Sequence, residues 1–302
     1  MTGLITMVFR LLVWLVIAPL LPGVINKVKA WVAGRRGPSL FLLYYDLAKL
    51  WRKSTVVSEL ASPGFVAGPA VAWVALAFSA SLVIGAGGGS VLSFRGDALL
   101  LIYLLALARF CTAWAAMETG SAFEGMGAAR EVSYAILTEA SVIAAVLSLV
   151  VRSGSLSLAG MLAPGPGAGT GLLAAGLFIV LLAENCRVPF DDPNTHLELT
   201  MIHEVMILDH SGPTLAVILH GAATKLLLFA VLLAEVALPL KDMGPWAAFA
   251  ALAAGVLLVA GAVGAVESLL ARLAFRRTPL LLTSAFVLCL FALLIAWQGG
   301  AA

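Results

Sequence analysis

Long apolar stretches, separated by polar or glycine- and proline-rich segments, dominate the hydropathy pattern of the chain. A helix that crosses a bilayer needs about 20 mostly apolar residues. The stretches that qualify are 3–25, 64–86, 97–117, 132–151, 169–184, 213–238, 245–270 and 279–298. The pattern therefore predicts an all-α integral membrane protein, a single polytopic domain over 1–302 with about eight transmembrane helices and amphipathic helices outside them.

The amino-acid composition also indicates that the chain is surrounded mainly by lipid. Of its 302 residues, 62% are hydrophobic and 11% are charged, whereas soluble domains are about a quarter charged. The net charge of +2 is too small to indicate nucleic-acid binding. The three cysteines form no CxxC pair, so neither a disulfide framework nor an iron–sulfur site is predicted. The first apolar stretch lacks a basic n-region and a cleavage site, which indicates a retained helix.

The distribution of lysine and arginine predicts the orientation, because cytoplasmic loops carry an excess of these residues. The connections after the first and seventh stretches hold Lys27, Lys29, Arg35, Arg36, Lys49, Arg52, Lys53, Arg272, Arg276 and Arg277. The connections on the opposite side hold Arg95, Arg152 and Lys241. Both termini should therefore lie outside, with cytoplasmic loops at about 26–63, 118–131, 185–212 and 271–278.

The first cytoplasmic segment, 26–54, is predicted to form two amphipathic helices around a turn at Gly37 and Pro38. The apolar positions of the second helix are Leu43, Leu47 and Leu50. Its charged positions are Asp46, Lys49 and Lys53. Two interpretations fit this pattern: a basic helix that lies against anionic lipid, or a docking platform for a soluble partner.

The segment ENCRVPFDDPNTHLELTMIHE at 184–204 concentrates five acids, one arginine and two histidines in a chain that is otherwise poor in charge. A helix over 196–208, capped by Asn194 or Thr195, would place Glu204 on its apolar face. A zinc site is disfavoured because His203 and Glu204 are not part of an HExxH motif. The remaining interpretations are a salt-bridge cluster around Arg187 and a proton relay or ion-coupling site.

Charged residues within the apolar stretches favour the relay. The four that bear on this interpretation are Arg109, Glu139, Lys225 and Glu267. A charged group at such depth costs about 3 kcal/mol or more and usually marks an ion pathway or a pair. Several of them in one helix bundle, next to an acidic loop, indicate a hydrated route.

Two motifs resemble the complex I membrane subunit that holds the quinone chamber. GRRGP followed by DLAKL at 46–50 resembles the RxGP…DxxKL segment of that family, and ENCRVPFDD resembles its ExNRxPFD loop. The chain departs from the quinone branch at Asn194 and His196, where acids are expected. The phrases DDPNTHLELTMIHEVMILDHSG and ALARFCTAWAAMETGSAFEGMGAARE resemble the membrane anchor subunit of formate hydrogenlyase and related energy-converting group 4 [NiFe] hydrogenases.

This resemblance implies a non-catalytic subunit of a hydrogenase-type oxidoreductase complex in the prokaryotic inner membrane. Such a subunit would lie between a soluble arm, whose subunits carry the [NiFe] centre and iron–sulfur clusters, and antiporter-like membrane subunits, and would itself bind no cofactor. The residues expected to couple ions or protons are Arg109, Glu139, Glu184, Arg187, Asp191, Glu198, Glu204, Lys225 and Glu267. The residues expected to dock the arm are Arg35, Arg36, Gly37, Pro38, Asp46, Lys49, Asp192 and His196.

Three other functions compete with this expectation. A quinone-binding complex I subunit predicts a quinone chamber and sensitivity to quinone-site inhibitors. A free-standing transporter predicts ion flux from the purified chain alone. A passive scaffold predicts that neutralising Glu139 or Glu204 leaves ion pumping intact.

Overall fold

The computed structural model describes residues 2–59, 61–83, 92–191 and 201–300, and within these ranges it contains helices and no strands. The α-helices are α1 (Thr2–Ile17), α2 (Leu20–Val32), α3 (Leu42–Leu50), α4 (Pro63–Val83), α5 (Asp97–Met117), α6 (Ala122–Ser153), α7 (Leu158–Met161), α8 (Thr170–Glu184), α9 (Gly212–Ala237), α10 (Pro245–Leu269) and α11 (Thr278–Gly300). Short 3-10 helices cover Glu204–Ile207, Leu240–Asp242 and Phe275–Arg277.

Seven helical stretches of the described chain are long and apolar enough to cross a membrane. They are Val8–Val32, Pro63–Val83, Asp97–Met117, Ala122–Ser153, Gly212–Ala237, Pro245–Leu269 and Phe275–Gly299. The predicted all-α, multi-pass membrane fold is therefore confirmed. The predicted span 169–184, which is not among the seven, corresponds to α8, which has 15 residues and a length of about 22 Å. This is shorter than the hydrocarbon core of about 30 Å, so α8 ends inside the bundle.

Helix α9 lies at the centre of the bundle. Its residues 226–231 are all buried, and a helix that is apolar and buried on every side belongs to a core rather than to a lipid-facing surface. Helices α4, α8 and α10 contact it, while α6 packs mainly against α11 and α5. A polar residue on the central part of α9 therefore faces other helices.

The predicted first span, 3–25, is broken between α1 and α2. Pro19 has no N–H group and cannot donate to the carbonyl of Leu15. That carbonyl lies 3.0 Å from Nε2 of His220 on α9, and the hydroxyl of Tyr44 on α3 donates to the carbonyl of Val16. Side chains from two other helices thus stabilise the backbone at the break.

The segment 26–54 agrees with its predicted pattern of two helices around a turn. The end of α2 and the whole of α3 flank a turn in which Gly37 has a positive φ of 49°, a conformation that favours glycine. On α3, Leu47 is buried while Asp46 and Lys49 are exposed. The apolar stripe of this helix therefore faces the protein.

Helix α6 begins ten residues before the predicted span 132–151. The segment 118–131, predicted as a connecting loop, is helical from Ala122 onwards. A Cβ atom on Gly127 would lie 2.4 Å from Cγ1 of Val205. The glycine therefore lets the segment that holds Val205 pack directly against α6.

The prediction of one helix over 196–208 is wrong in the part that the structure describes, 201–208. Only Glu204–Ile207 is helical there, as a short 3-10 helix. Asp191 Oδ2 accepts hydrogen bonds from the backbone N–H groups of Ile202 at 2.8 Å and His203 at 3.2 Å. These bonds compete with α-helical pairing. Leu208, which follows the 3-10 helix, is 51% exposed.

Candidate charge-coupling site

Arg109, in the second half of α5, is the buried centre of a group of ion pairs. Its Nη1 donates to Oε1 of Glu139 on α6, and its Nη2 donates to Oε1 of Glu184 at the end of α8. Its Nε lies 3.6 Å from Oε1 of Glu131, also on α6. The planar guanidinium can bind several carboxylates at once, and its side chain is only 8% exposed. Arg109 thus joins three acids from two helices.

Glu184 is shared between two cations. Its second oxygen, Oε2, lies 2.7 Å from Nζ of Lys225 on the central helix α9. Because Glu184 is the last residue of α8, its carboxylate adds to the negative end of the helix dipole, which favours nearby cations. Lys225 and Arg109 therefore stabilise a short helix that ends within the bundle.

We name these residues the Arg109 cluster: Arg109, Glu131, Glu139, Glu184 and Lys225. They come from α5, α6, α8 and α9, and with every group ionised the three acids and two bases carry a net charge of −1. The sequence predicted that four of them have a functional role. Glu131 was missed because the predicted span began at 132 and left it in a loop, although it lies about two helical turns before Glu139.

Two small cavities adjoin the Arg109 cluster. The first has a volume of about 60 Å³ and is lined by Arg109, Glu131, Lys225 and His203 among largely apolar neighbours. The second, of about 20 Å³, is lined by Glu131 and Glu184. Because one water molecule needs about 10–15 Å³ and several polar partners, the first cavity has room for a few waters and the second for one. Glu131 lines both cavities.

A second group of ion pairs, the Glu267 cluster, consists of Lys29, Arg187 and Glu267. The buried carboxylate of Glu267 on α10 lies 2.8 Å from Nζ of Lys29 on α2 and 3.4 Å from Nη1 of Arg187. Gly264, one turn earlier on α10, allows the close approach, since a Cβ there would lie 2.9 Å from Cβ of Val28. Within the described part of the chain, Arg187 therefore pairs with an acid from another helix.

Asp191 connects the loop after α8 with the loop between α10 and α11. Its Oδ1 lies 3.1 Å from Nη2 of Arg272, while its Oδ2 accepts the two backbone hydrogen bonds of the 201–203 segment. The guanidinium groups of Arg272 and Arg130 lie 5.2 Å and 4.9 Å from the centre of the Phe275 ring, at distances that allow cation–π interactions. These contacts fix the loop after α8 to the loop between α10 and α11.

The structure does not bring Glu204 to the Arg109 cluster. Glu204 is half-buried, and it occurs in none of the ion pairs found among the described residues. Its neighbour His203 lines the larger cavity instead, and burial lowers the pKa of that imidazole. No local pattern indicated His203, because the assumed helix directed Glu204 inward.

The predicted docking residues divide into two groups. Those that are described and exposed are Arg35, Arg36, Gly37, Pro38, Asp46 and Lys49. Those that lie outside the described residues are Asp192 and His196, together with the predicted coupling residue Glu198. The exposed group offers a basic surface at the turn before α3.

A family model described as NADH dehydrogenase matches residues 4–298. The chain belongs to the NADH dehydrogenase family. This family member is 32% identical over 235 residues to hydrogenase-4 component C of Escherichia coli (strain K12), covering 74% of this chain and 72% of the relative. It is also 28% identical over 280 residues to formate hydrogenlyase subunit 4 of the same organism, covering 89% and 90% of the two chains. The predicted resemblance to hydrogenase membrane subunits is confirmed.

A solved structure shares the fold of this NADH dehydrogenase family member. It is a chain of the membrane-bound sulfane sulfur reductase, an archaeal respiratory membrane complex, which superimposes with a TM-score of 0.83 and covers 99% of this chain and 100% of that chain. At 18% identity the similarity concerns the fold alone.

Proposed function

We propose that the chain is the membrane subunit of an energy-converting, hydrogenase-type respiratory complex. In this role it anchors a soluble arm and couples electron transfer in the arm to the translocation of protons or sodium ions. The observation that carries the proposal is the Arg109 cluster, in which five ionisable groups from four helices meet within a membrane bundle. The hydrogenase components among its relatives supply the kind of complex.

The Arg109 cluster is suited to coupling because its charges depend on one another. Glu184 holds both Arg109 and Lys225, so protonation of its carboxylate weakens two ion pairs at once. The released cations then bind more strongly to the remaining acids, Glu131 and Glu139, and favour their ionised forms. Water in the adjoining cavities would carry the proton to and from Glu131, the acid that lines both.

The basic surface around Arg35 and Arg36 is proposed as the docking site of the soluble arm, on the cytoplasmic side of the inner membrane with both termini outside. In such a complex the [NiFe] centre and iron–sulfur clusters belong to the arm. The Glu267 cluster and Asp191 lie in or beside the loops that would face the arm. A movement of the arm can therefore change their ion pairs directly. Arg36→Ala should weaken attachment of the arm, as measured by its recovery with the tagged chain.

Purification of the tagged chain from its native membrane tests the proposal. We expect hydrogenase subunits, iron–sulfur subunits and antiporter-like subunits to co-purify, and we expect hydrogen formation by the complex to drive ion movement in proteoliposomes. The chain purified alone should move no ions. Ion flux through the isolated chain, or a complex without hydrogenase subunits, would contradict the proposal.

A second candidate function is that of a quinone-binding subunit of an NADH:quinone oxidoreductase. The family description and the cavity between α4, α5 and α9 favour it, whereas Asn194 and His196 depart from that branch. Quinone reduction by the purified complex, blocked by quinone-site inhibitors, would identify this second function. Hydrogen formation that is insensitive to those inhibitors identifies the first.

A further inference from the structure

One side of α6 carries a continuous exposed stripe within the apolar stretch 132–151. Its exposed apolar members are Val132, Ile136, Ile143 and Leu147. Their spacing of four, seven and four residues places them on one side of a helix. Glu139 falls on the same side, between Ile136 and Ile143, and its side chain is 42% exposed. The Arg109 cluster therefore reaches the outer surface of this protein through Glu139.

Contact between this stripe and lipid would be energetically unfavourable. Glu139 is the eighth of the twenty residues in 132–151, close to the middle of the apolar stretch, where an ionised carboxylate is strongly disfavoured in contact with hydrocarbon. Its pairing with Arg109 within the described chain uses Oε1 alone. A carboxylate can accept several hydrogen bonds, so the other oxygen is available to a donor that comes from outside the chain.

The exposed surface of α10 differs from the stripe on α6 because it carries no ionisable residue. Phe249, Leu257 and Leu258 are exposed there, and the helix has no ionisable residue before Glu267, which is buried near its end. Such a surface is compatible with lipid along its whole length. The stripe on α6 differs from it by the one exposed acid in its centre.

We propose that a transmembrane helix of another membrane subunit packs along this stripe and presents a lysine or arginine side chain to Glu139. The inference rests on the proposed function, since it requires a multi-subunit membrane complex. Charge complementarity identifies the partner residue, because the fully ionised Arg109 cluster carries one negative charge in excess. The apolar members of the stripe on both sides of Glu139 require an apolar partner helix.

Site-specific photo-crosslinking in the purified complex tests the partner. A benzophenone amino acid replaces Ile136 in one variant and Leu258 on α10 in a matched variant. We expect the label at position 136 to form an adduct with one membrane subunit of the complex, in higher yield than the label at 258. Adducts at position 136 with lipid alone, in a complex that retains all its subunits, would overturn the inference.

A charge exchange tests the partner residue. Mass spectrometry of the adduct locates the partner helix, and its lysine or arginine nearest the adduct is changed to glutamate. Glu139→Lys alone should reduce recovery of the partner subunit at least several-fold, and the exchanged pair should restore it. A partner helix without a basic residue, or a pair that restores nothing, would refute the charge assignment.

These results separate the inference from the proposed function. A complex that moves ions but gives no protein adduct at position 136 refutes the inference alone. A protein adduct in a complex that moves no ions refutes the proposed function and leaves the packing surface in place.

Discussion

Replacement of Lys225 by methionine should destabilise the protein because it leaves Glu184 with one cation instead of two. Lys225 Nζ lies 2.7 Å from Glu184 Oε2, and at an effective dielectric constant of about 20 their attraction is about 6 kcal/mol. Part of this attraction offsets the cost of removing both charges from water. Loss of one partner of a buried pair typically costs about 3–5 kcal/mol. We expect about 3 kcal/mol, because Arg109 remains bound to Glu184.

A double-mutant cycle measures the interaction itself. Lys225→Met, Glu184→Gln and the double variant are compared with the wild type by reversible unfolding in detergent. The double variant should be less destabilised than the sum of the single variants, with a coupling energy of about 2–3 kcal/mol, since a neutral pair leaves no unpaired charge at this position. Additivity within about 0.5 kcal/mol would show that the two residues do not interact, and the description of the Arg109 cluster would be wrong.

Three further predictions concern the framework. Tyr44→Phe removes the donor to the carbonyl at the α1–α2 break and should cost about 1 kcal/mol in unfolding free energy, whereas the control Tyr45→Phe, at an exposed tyrosine, should be neutral. Gly127→Ala should destabilise the protein by about 1–3 kcal/mol, because the added Cβ meets the 201–207 segment. The control Gly125→Ala, with open space around it, should stabilise the protein by up to about 1 kcal/mol. Equal effects of the two substitutions in thermal melts would contradict this packing. Burial lowers the pKa of His210 to about 4, below its usual value. The unfolded chain therefore takes up a proton at a higher pH than the folded protein does, and the free energy of unfolding should fall by about 3 kcal/mol as the pH falls from 6.5 towards 4. A pH profile of stability that His210→Phe leaves unchanged would refute this.

The depth of charged residues in the sequence predicted much of the candidate site. Arg109, Glu139 and Lys225 each interrupt an apolar stretch, and the cost of burying an unpaired charge requires that such residues find partners. The structure brings them together with Glu184. Hydropathy could not reveal which charges would pair, because pairing depends on how the helices are arranged. The partnership of Lys29 with Glu267 joins residues far apart in the sequence for this reason.

Local patterns were least informative where a distant residue controls the backbone. The helix expected over 196–208 followed from an apolar periodicity that is present in the sequence. In the structure, the carboxylate of Asp191 binds the N–H groups of Ile202 and His203, eleven and twelve residues further along the chain. As a result His203, and not Glu204, faces the larger cavity.

The most direct test of the central claim, that the Arg109 cluster couples electron transfer to ion movement, is the ratio of ions moved to hydrogen formed in proteoliposomes that contain the complete complex. Glu184→Gln removes the charge shared by Arg109 and Lys225, and Glu59→Gln, at an exposed acid outside the cluster, is its control. We predict that hydrogen formation continues in both variants and that the ratio falls at least tenfold in Glu184→Gln alone. A wild-type ratio in an intact Glu184→Gln complex would contradict the claim.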